Sequence, residues 1–305
     1  MYHRILVPLD TSELAEVALP YAEQMAGRLG SEITLMSVSH SAGEKEHRVF
    51  RSYIEGTVEV TKERAKRYLQ KPTGQDVKVQ YAILVGNPAE EIVDYADREN
   101  IDVIVMATHG RSGIGRWALG SVADKVLRAT ERPVVLIRAK GARPDMLVVE
   151  KGAFKRVLVP LDGSKESEAV IPYIEELASR LGAEVTLLQV LAIVYHVYIS
   201  GDASAQVPYT EEEMKPLKAS AESYLEKVGS GLKGKGVTTK CQVRVGAAGH
   251  EIIKLADEIG ADIVAMSTHG RSGVGRLVFG SVAEKVVRTG NTPVLLVRTP
   301  GASVE

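Results

Sequence analysis

Short runs of Val, Ile and Leu alternate along this chain with longer stretches in which apolar residues return every three or four positions. The first pattern fits strands, and the second fits helices lying against them. In the first half the pattern predicts strands near residues 4–8, 32–38, 77–83, 102–107 and 133–137, with helices in the intervals. Runs that stay apolar at successive positions, such as Val103-Ile104-Val105-Met106, suit strands buried on both faces, as in a parallel sheet covered by helices. Local signals bound the helices. Thr11-Ser12 can cap a first helix running to Gly30. Asn87-Pro88-Ala89-Glu90 offers a cap, a proline in the first helical position and an acid three residues after the cap. A further helix opens at Gly120-Ser121. The fold class is α/β.

The pattern then repeats. Arg4-Ile5-Leu6-Val7-Pro8-Leu9-Asp10 returns as Arg156-Val157-Leu158-Val159-Pro160-Leu161-Asp162, an offset of 152. Thr108-His109-Gly110-Arg111-Ser112-Gly113 returns at an offset of 160, so the second copy carries eight extra residues after its second strand. Residues 102–138 and 262–298 are identical at 21 of 37 positions, which marks a duplicated domain. A period near 150 is too long for a solenoid unit, so each copy is read as a complete domain. The expectation is two tandem doubly wound domains, each a five-stranded parallel sheet flanked by helices. They span residues 1–140 and 154–305, with a linker over 141–153. The last strands, 134–137 and 294–297, follow Pro133 and Pro293 and are apolar enough to need cover. Pairing of the two edges into an internal pseudo-dimer would provide it.

Composition narrows the function. At 305 residues, 45% apolar and 25% charged, the chain has the make-up of an ordinary folded protein rather than a disordered one. The apolar run over 185–199 is broken by Gln189 and His196 and is too short to span a bilayer. With no secretory pattern at the start, the expected location is the cytoplasm. A formal charge of −1 disfavours nucleic-acid binding by bulk charge. The single cysteine, Cys241, permits no internal disulfide or cysteine metal cluster and is expected to be buried in a strand.

In open α/β sheets, ligands bind beyond the carboxyl ends of strands, where strand order reverses. Strand one ends in Pro8-Leu9-Asp10 and strand four in Met106-Ala107-Thr108-His109-Gly110; the second copy ends in Pro160-Leu161-Asp162 and Met266-Ser267-Thr268-His269-Gly270. Each second segment leads through a glycine-rich loop to a helix start, Gly120-Ser121-Val122 or Gly280-Ser281-Val282. Unpaired amides and a partial positive charge there suit a phosphate, and a branched side chain at Gly120 or Gly280 is expected to intrude on it. Arg111, Arg116, Arg271 and Arg276 are further candidates for phosphate contact. Two decoys are set aside. Residues 229–235 spell a P-loop without its Ser or Thr and are read as a flexible loop, and residues 113–118 fit the dinucleotide fingerprint without a helix opening from it. No serine or cysteine nucleophile with a base emerges, so no catalytic residue is assigned, and His109 and His269 are read as binding or loop-supporting. No metal-ligand spacing is present in the sequence.

These residues carry a family resemblance. The order Ala107-Thr108-His109-Gly110, nine residues, Gly120-Ser121, and its repeat Ser267-Thr268-His269-Gly270, nine residues, Gly280-Ser281, resembles the nucleotide-binding motif of the universal stress protein family. Small residues, Ala107 and Ser267, stand where that motif begins with glycine. Over nearly its whole length the chain looks like a tandem two-domain member. The resemblance implies a Rossmann-like fold with one adenine-nucleotide site per domain, holding ATP, ADP or AMP with Mg2+ as companion. It implies that Asp10 and Asp162 face the nucleoside, the backbone near Val38 and Val190 meets the adenine, and loop and helix start hold the phosphates. The leading expectation is a nucleotide-dependent regulator in the stress response, with slow or absent hydrolysis. The alternatives are a slow ATPase or phosphoryl or adenylyl transferase using the same pockets, and an interaction protein with empty ones. A homodimer is compatible with each. The segment 192–215 of the second copy, with Tyr195, His196, Tyr198 and Tyr209, leaves a strand end beside its pocket, and two readings stand side by side: an aromatic lid over the base, or a mobile surface loop that never touches ligand.

Overall fold

A computed structural model describes residues 1–39, 43–69, 76–109, 119–138, 154–200, 203–270 and 280–299, with backbone alone at 44–47, 197–200 and 203–207. The first half runs β1 (Arg4–Pro8), α1 (Glu13–Glu16), α2 (Leu19–Leu29), β2 (Glu32–Ser39), α3 (Glu44–Lys66), β3 (Val79–Val85), α4 (Pro88–Arg98), β4 (Val103–Ala107), α5 (Ser121–Ala129) and β5 (Val134–Ile137). The second runs β6 (Arg156–Pro160), α6 (Lys165–Glu168), α7 (Ile171–Leu181), β7 (Glu184–Leu191), β8 (Tyr195–Ser200), β9 (Ala203–Pro208), α8 (Glu211–Lys233), β10 (Thr238–Val245), α9 (Ala248–Ile259), β11 (Ile263–Ser267), α10 (Ser281–Thr289) and β12 (Val294–Val297). The architecture is α/β, two tandem domains around a large and mostly parallel sheet.

That sheet has ten strands in the order β10-β7-β6-β11-β12-β5-β4-β1-β2-β3. Within each half every pair of this sheet is parallel, and the first strand is flanked by the second and fourth. The halves meet at the one antiparallel pair, β12 with β5, where Leu295 lies opposite Val135. Pairing removes both apolar edges from water and gives their backbone groups partners. Because the join is antiparallel, the carboxyl ends of the two halves lie on opposite edges of the sheet.

Packing follows the strand alternation. Ile5, Val7 and their repeats Val157 and Val159 enter one core layer, while Leu6 and Leu158 enter the layer on the other face. Both layers run through the two halves without a break. Tyr21 of α2 packs edge-on against Phe154 of the second half, ring centroids 6.2 Å apart. Arg138, next after β5, donates from Nη1 to the Gly290 carbonyl at the end of α10 (2.7 Å). Arg298, next after β12, reaches the Arg128 and Thr130 carbonyls at the end of α5 (3.4 and 3.3 Å). Each cation meets the negative end of the other half's last helix.

Several expectations need correction. The single helix expected from Thr11-Ser12 to Gly30 is two helices, because Pro20 has no N–H for the Glu16 carbonyl and its ring would strike that group. Pro172 ends α6 at Glu168 for the same reason. The third strand sits two residues later than expected and ends at Val85, held by pairing with Ser39. Cys241 is exposed rather than buried, since β10 is the outermost strand and has a neighbour on one side only. The supposed loop at 229–235 is mostly the last turns of α8, which continues to Lys233. The eight extra residues and their neighbours form a β8–β9 hairpin that pairs only with itself.

One buried acid makes stability depend on pH. Glu23 of α2 is 2% exposed, and its Oε1 has no hydrogen-bond partner among the described residues. Burial pushes its carboxyl up to about 7, against the opposing pull of Arg64 and Arg67. The unfolded chain releases this proton near 4.5, so between pH 4.5 and about 7 the folded state binds the extra proton and stability falls as pH rises. Glu23→Gln should therefore stabilise the protein by about 1–3 kcal/mol at pH 8 and change little at pH 4. Urea denaturation at the two pH values reads this difference.

Candidate functional site

Strands β1 and β4 are neighbours for only two residue pairs, Ile5 with Val103 and Leu6 with Ile104. Beyond these they follow different partners. The Leu9 amide donates to the Met36 carbonyl beyond β1 (2.8 Å), drawing β1 toward β2. The Thr108 amide donates to the Ile137 carbonyl (2.8 Å), drawing β4 toward β5. A crevice opens between. The second half repeats it: Val157 and Leu158 face Ile263 and Val264, then Leu161 bonds Leu188 (2.8 Å) and Thr268 bonds Val297 (2.9 Å). The crevice thus lies where strand order reverses.

One wall is an acidic turn. Asp10 Oδ1 accepts from the Ser12 amide (3.1 Å) and hydroxyl (2.5 Å), while Ser12 Oγ accepts from the Ala15 amide and caps α1. Asp162 accepts likewise from Ser164, at 3.0 and 2.5 Å, and Ser164 caps α6. The turn needs a left-handed residue after the acid. The second half has Gly163 there at φ 84°, but the first has Thr11 at φ 69°, a strained conformation for a β-branched residue. Behind the acids, Tyr53 of α3 donates to Glu16 and Tyr224 of α8 to Glu168, both at 2.8 Å. Burial, then the bonded carboxylate, raises each phenol's pKa, so both stay protonated donors.

The opposite wall is a helix start. The Gly120 amide donates to the Thr108 carbonyl (2.8 Å) and the Gly280 amide to Thr268 (3.0 Å), tying α5 and α10 to the ends of β4 and β11. The first helical bond of α5 uses the Asp124 amide, so those of Ser121, Val122 and Ala123 have no intrahelical acceptor, and no side chain caps them. His109 and His269 hold Nδ1 against the neighbouring threonine hydroxyls, at 3.1 and 3.0 Å. The Ser267 hydroxyl donates to the His269 carbonyl and braces the second loop. Gly270 has the Asp162 carboxylate where a side chain would begin.

These walls enclose a cavity of about 300 Å³ in the first half and about 240 Å³ in the second. The first is lined by the expected Pro8, Leu9, Asp10, Val38, Met106, Ala107, His109, Gly120, Ser121 and Val122. The second is lined by Pro160, Leu161, Asp162, Val190, Met266, Ser267, His269, Gly270, Gly280, Ser281 and Val282. Gly110, Arg111, Arg116, Arg271, Arg276, the fingerprint-like 113–118 and the linker fall outside the described residues. Sequence reasoning missed Phe50, Ile92 and Ile252, and the Ala15 and Ser167 pair. Ile92 and Ile252 carried a signal: each stands four residues after the first residue of its helix, Pro88 or Ala248. Among the described side chains of the hairpin, Tyr195, His196 and Tyr209 included, none borders the second cavity, and the Tyr198 side chain lies outside the described residues. Instead His196 stacks on Tyr209, ring centroids 4.4 Å apart, and its Nε2 lies 2.7 Å from Glu213 at the start of α8.

Each cavity is therefore amphipathic, with apolar side chains at the second strand, and a carboxylate after the first strand and helix-start amides and hydroxyls after the fourth as its polar walls. Residues 1–138 and 153–298 each match the universal stress protein family. A universal stress protein of Mycolicibacterium smegmatis is 27% identical over 312 residues, covering 96% of both chains. One from Methanocaldococcus jannaschii is 32% identical over 160 residues, covering 47% of this chain and 98% of its own. The crystal structure of a universal stress protein from Archaeoglobus fulgidus superposes with a TM-score of 0.69 at 20% identity, over 99% of this chain and 98% of that one. Among the described residues no helix is long and apolar enough to cross a membrane.

The glycines at the helix starts serve packing before any ligand. A Cβ at Gly120 or Gly280 would lie 2.8 Å from the Thr108 or Thr268 carbonyl oxygen, so a side chain there strikes backbone rather than the space left for a phosphate. Gly120→Ala should therefore cost about 1–3 kcal/mol of stability in urea denaturation without any ligand present. Thr11→Gly should act oppositely, raising stability by about 1 kcal/mol in the same assay through relief of the left-handed strain.

Proposed function

The chain belongs to the universal stress protein family, and on that premise we propose that each half binds one adenine nucleotide and that the protein acts as a nucleotide-dependent regulator. The observation that carries this reading is the amphipathic cavity made twice from matching residues, with helix-start amides facing an apolar wall. In this reading the adenine lies by Val38 or Val190 and the sugar faces Asp10 or Asp162. The phosphates take the amides of Ser121 to Ala123 or Ser281 to Ala283, where a helix start favours an anion. Mg2+ would accompany the phosphates as a hard cation suited to oxygen donors, with Asp10 or Asp162 and the Ser121 or Ser281 hydroxyl within the same cavity. It would neutralise phosphate charge.

The acids favour holding a ligand over turning it over. Asp10 and Asp162 already accept two hydrogen bonds each from the following turn, a role that fixes the loop rather than frees a base. Binding without rapid chemistry suits a regulator, whose output is a change of shape or partner with occupancy.

Calorimetric titration with ATP and Mg2+ should give two sites per chain. Ser121 and Ser281 are exposed at the first position of their helices, so an acid there is compatible with the fold and favourable to the helix dipole. Ser121→Asp with Ser281→Asp should keep or raise the melting temperature while weakening ATP binding at least about tenfold by charge repulsion. Unchanged affinity in the folded double variant would put the phosphates elsewhere.

A further inference from the structure

The two cavities differ at their apolar ends. Phe50 of α3 is 4% exposed and lines the first cavity beside Met36, Val38 and Pro88. The second cavity has Leu188, Val190 and Ala248 at the corresponding wall and no Phe, Tyr or Trp among the described residues of its lining. The tyrosine anchors explain the difference. Tyr53 and Tyr224 make the same 2.8 Å bond to equivalent carboxylates, Glu16 and Glu168, and so fix equivalent points of α3 and α8. Three residues before each anchor stand Phe50 and Ala221, both buried, a ring in one half and a methyl in the other.

The polar ends differ in the opposite sense. In the second half the Ser267 hydroxyl braces the loop at His269, and the Ser167 hydroxyl accepts from the Asp162 amide (3.3 Å). The first half has Ala107 and Ala15 at these places, which can do neither. One half therefore adds aromatic surface where a base would lie, and the other adds order where sugar and phosphate would lie.

We infer that Phe50 lets the first site hold its nucleotide largely through the base and leaves the second to hold nucleotides chiefly through their sugar and phosphate groups. The inference rests on the nucleotide reading above and adds to it a division of labour between the sites. A planar heterocycle gains from an aromatic face in a dry wall, a contact available to every base but lost with the ring. A nucleoside without phosphate keeps that contact and forfeits the helix-start amides, so it distinguishes the two sites.

Calorimetric titration of the full chain with adenosine, and separately with ATP and Mg2+, tests this. Wild-type protein should bind one adenosine and two ATP. Phe50→Leu should weaken adenosine at least about tenfold, weaken one ATP site by a similar factor and leave the other unchanged, while Phe50→Tyr retains adenosine binding. A photoreactive azido-adenosine on the unaltered protein, with the labelled peptide identified by mass, gives a reading independent of variant folding; label should fall in the first half. Two adenosine sites, no adenosine binding alongside normal ATP binding, label shared equally between halves, or full adenosine affinity in folded Phe50→Leu would each overturn the inference. Failure of wild-type protein to bind ATP at all would instead overturn the nucleotide reading beneath it.

Discussion

Two residue pairs, Ile5 with Val103 and Leu6 with Ile104, hold β1 against β4, and the position of every cavity group follows from where that contact stops. Had the strands stayed paired to their ends, backbone hydrogen bonds would have closed the space between Asp10 and His109. They part because each has a second neighbour, β2 or β5, whose carbonyls at Met36 and Ile137 take the next amides. A twisted parallel sheet of this order separates strand ends at the reversal point, and the void is lined by whatever the sequence places there. The acid turn after β1 and the helix start after β4 supply polar walls, while core side chains supply the apolar one.

The antiparallel join of β5 and β12 has a different consequence. It makes one sheet and two continuous core layers out of two domains, so neither half presents its last strand to water. It also sets the cavities on opposite edges. The helix that offers amides to one cavity gives its last carbonyls to an arginine of the other half: α5 to Arg298, and α10 to Arg138. Both arginines directly follow the strand whose final carbonyl holds the other cavity's threonine, Thr268 or Thr108. The two sites are thus joined by nine-residue helices, each tied at its start to a threonine carbonyl of its own half and at its end to an arginine of the other half.

Duplication has preserved backbone more strictly than side chains. The left-handed position after the acid is Gly163 in one copy and a strained Thr11 in the other, yet the same Asx turn forms, because the serine hydroxyl and amide hold the carboxylate in both. Ala107 and Ser267 both allow their strand to reach the cavity, but only the serine adds a hydrogen bond. Differences of this size leave the fold alone and fall on the ligand end of each domain.

The sequence by itself determined the α/β class, the duplication, most strand and helix positions and the residues that gather at the strand ends. These depend on local periodicity, on cap residues such as Asn87, and on the rule that such sheets bind ligands at their reversal point. It even contained the break at Pro20, since a missing N–H is a local fact, although the helix had been expected to run through. Tertiary structure alone decided which side chains close the cavity. Phe50 lies in a long helix whose rotation over the sheet is fixed by the Tyr53–Glu16 bond, a contact 37 residues apart with no local signature. The hairpin tyrosines and histidine have the composition of a lid, yet β8 and β9 satisfy each other's backbone, and His196 finds Tyr209 and Glu213 before any ligand. Composition states what a segment could touch. Which contact forms depends on competing partners that only the packed chain brings within reach.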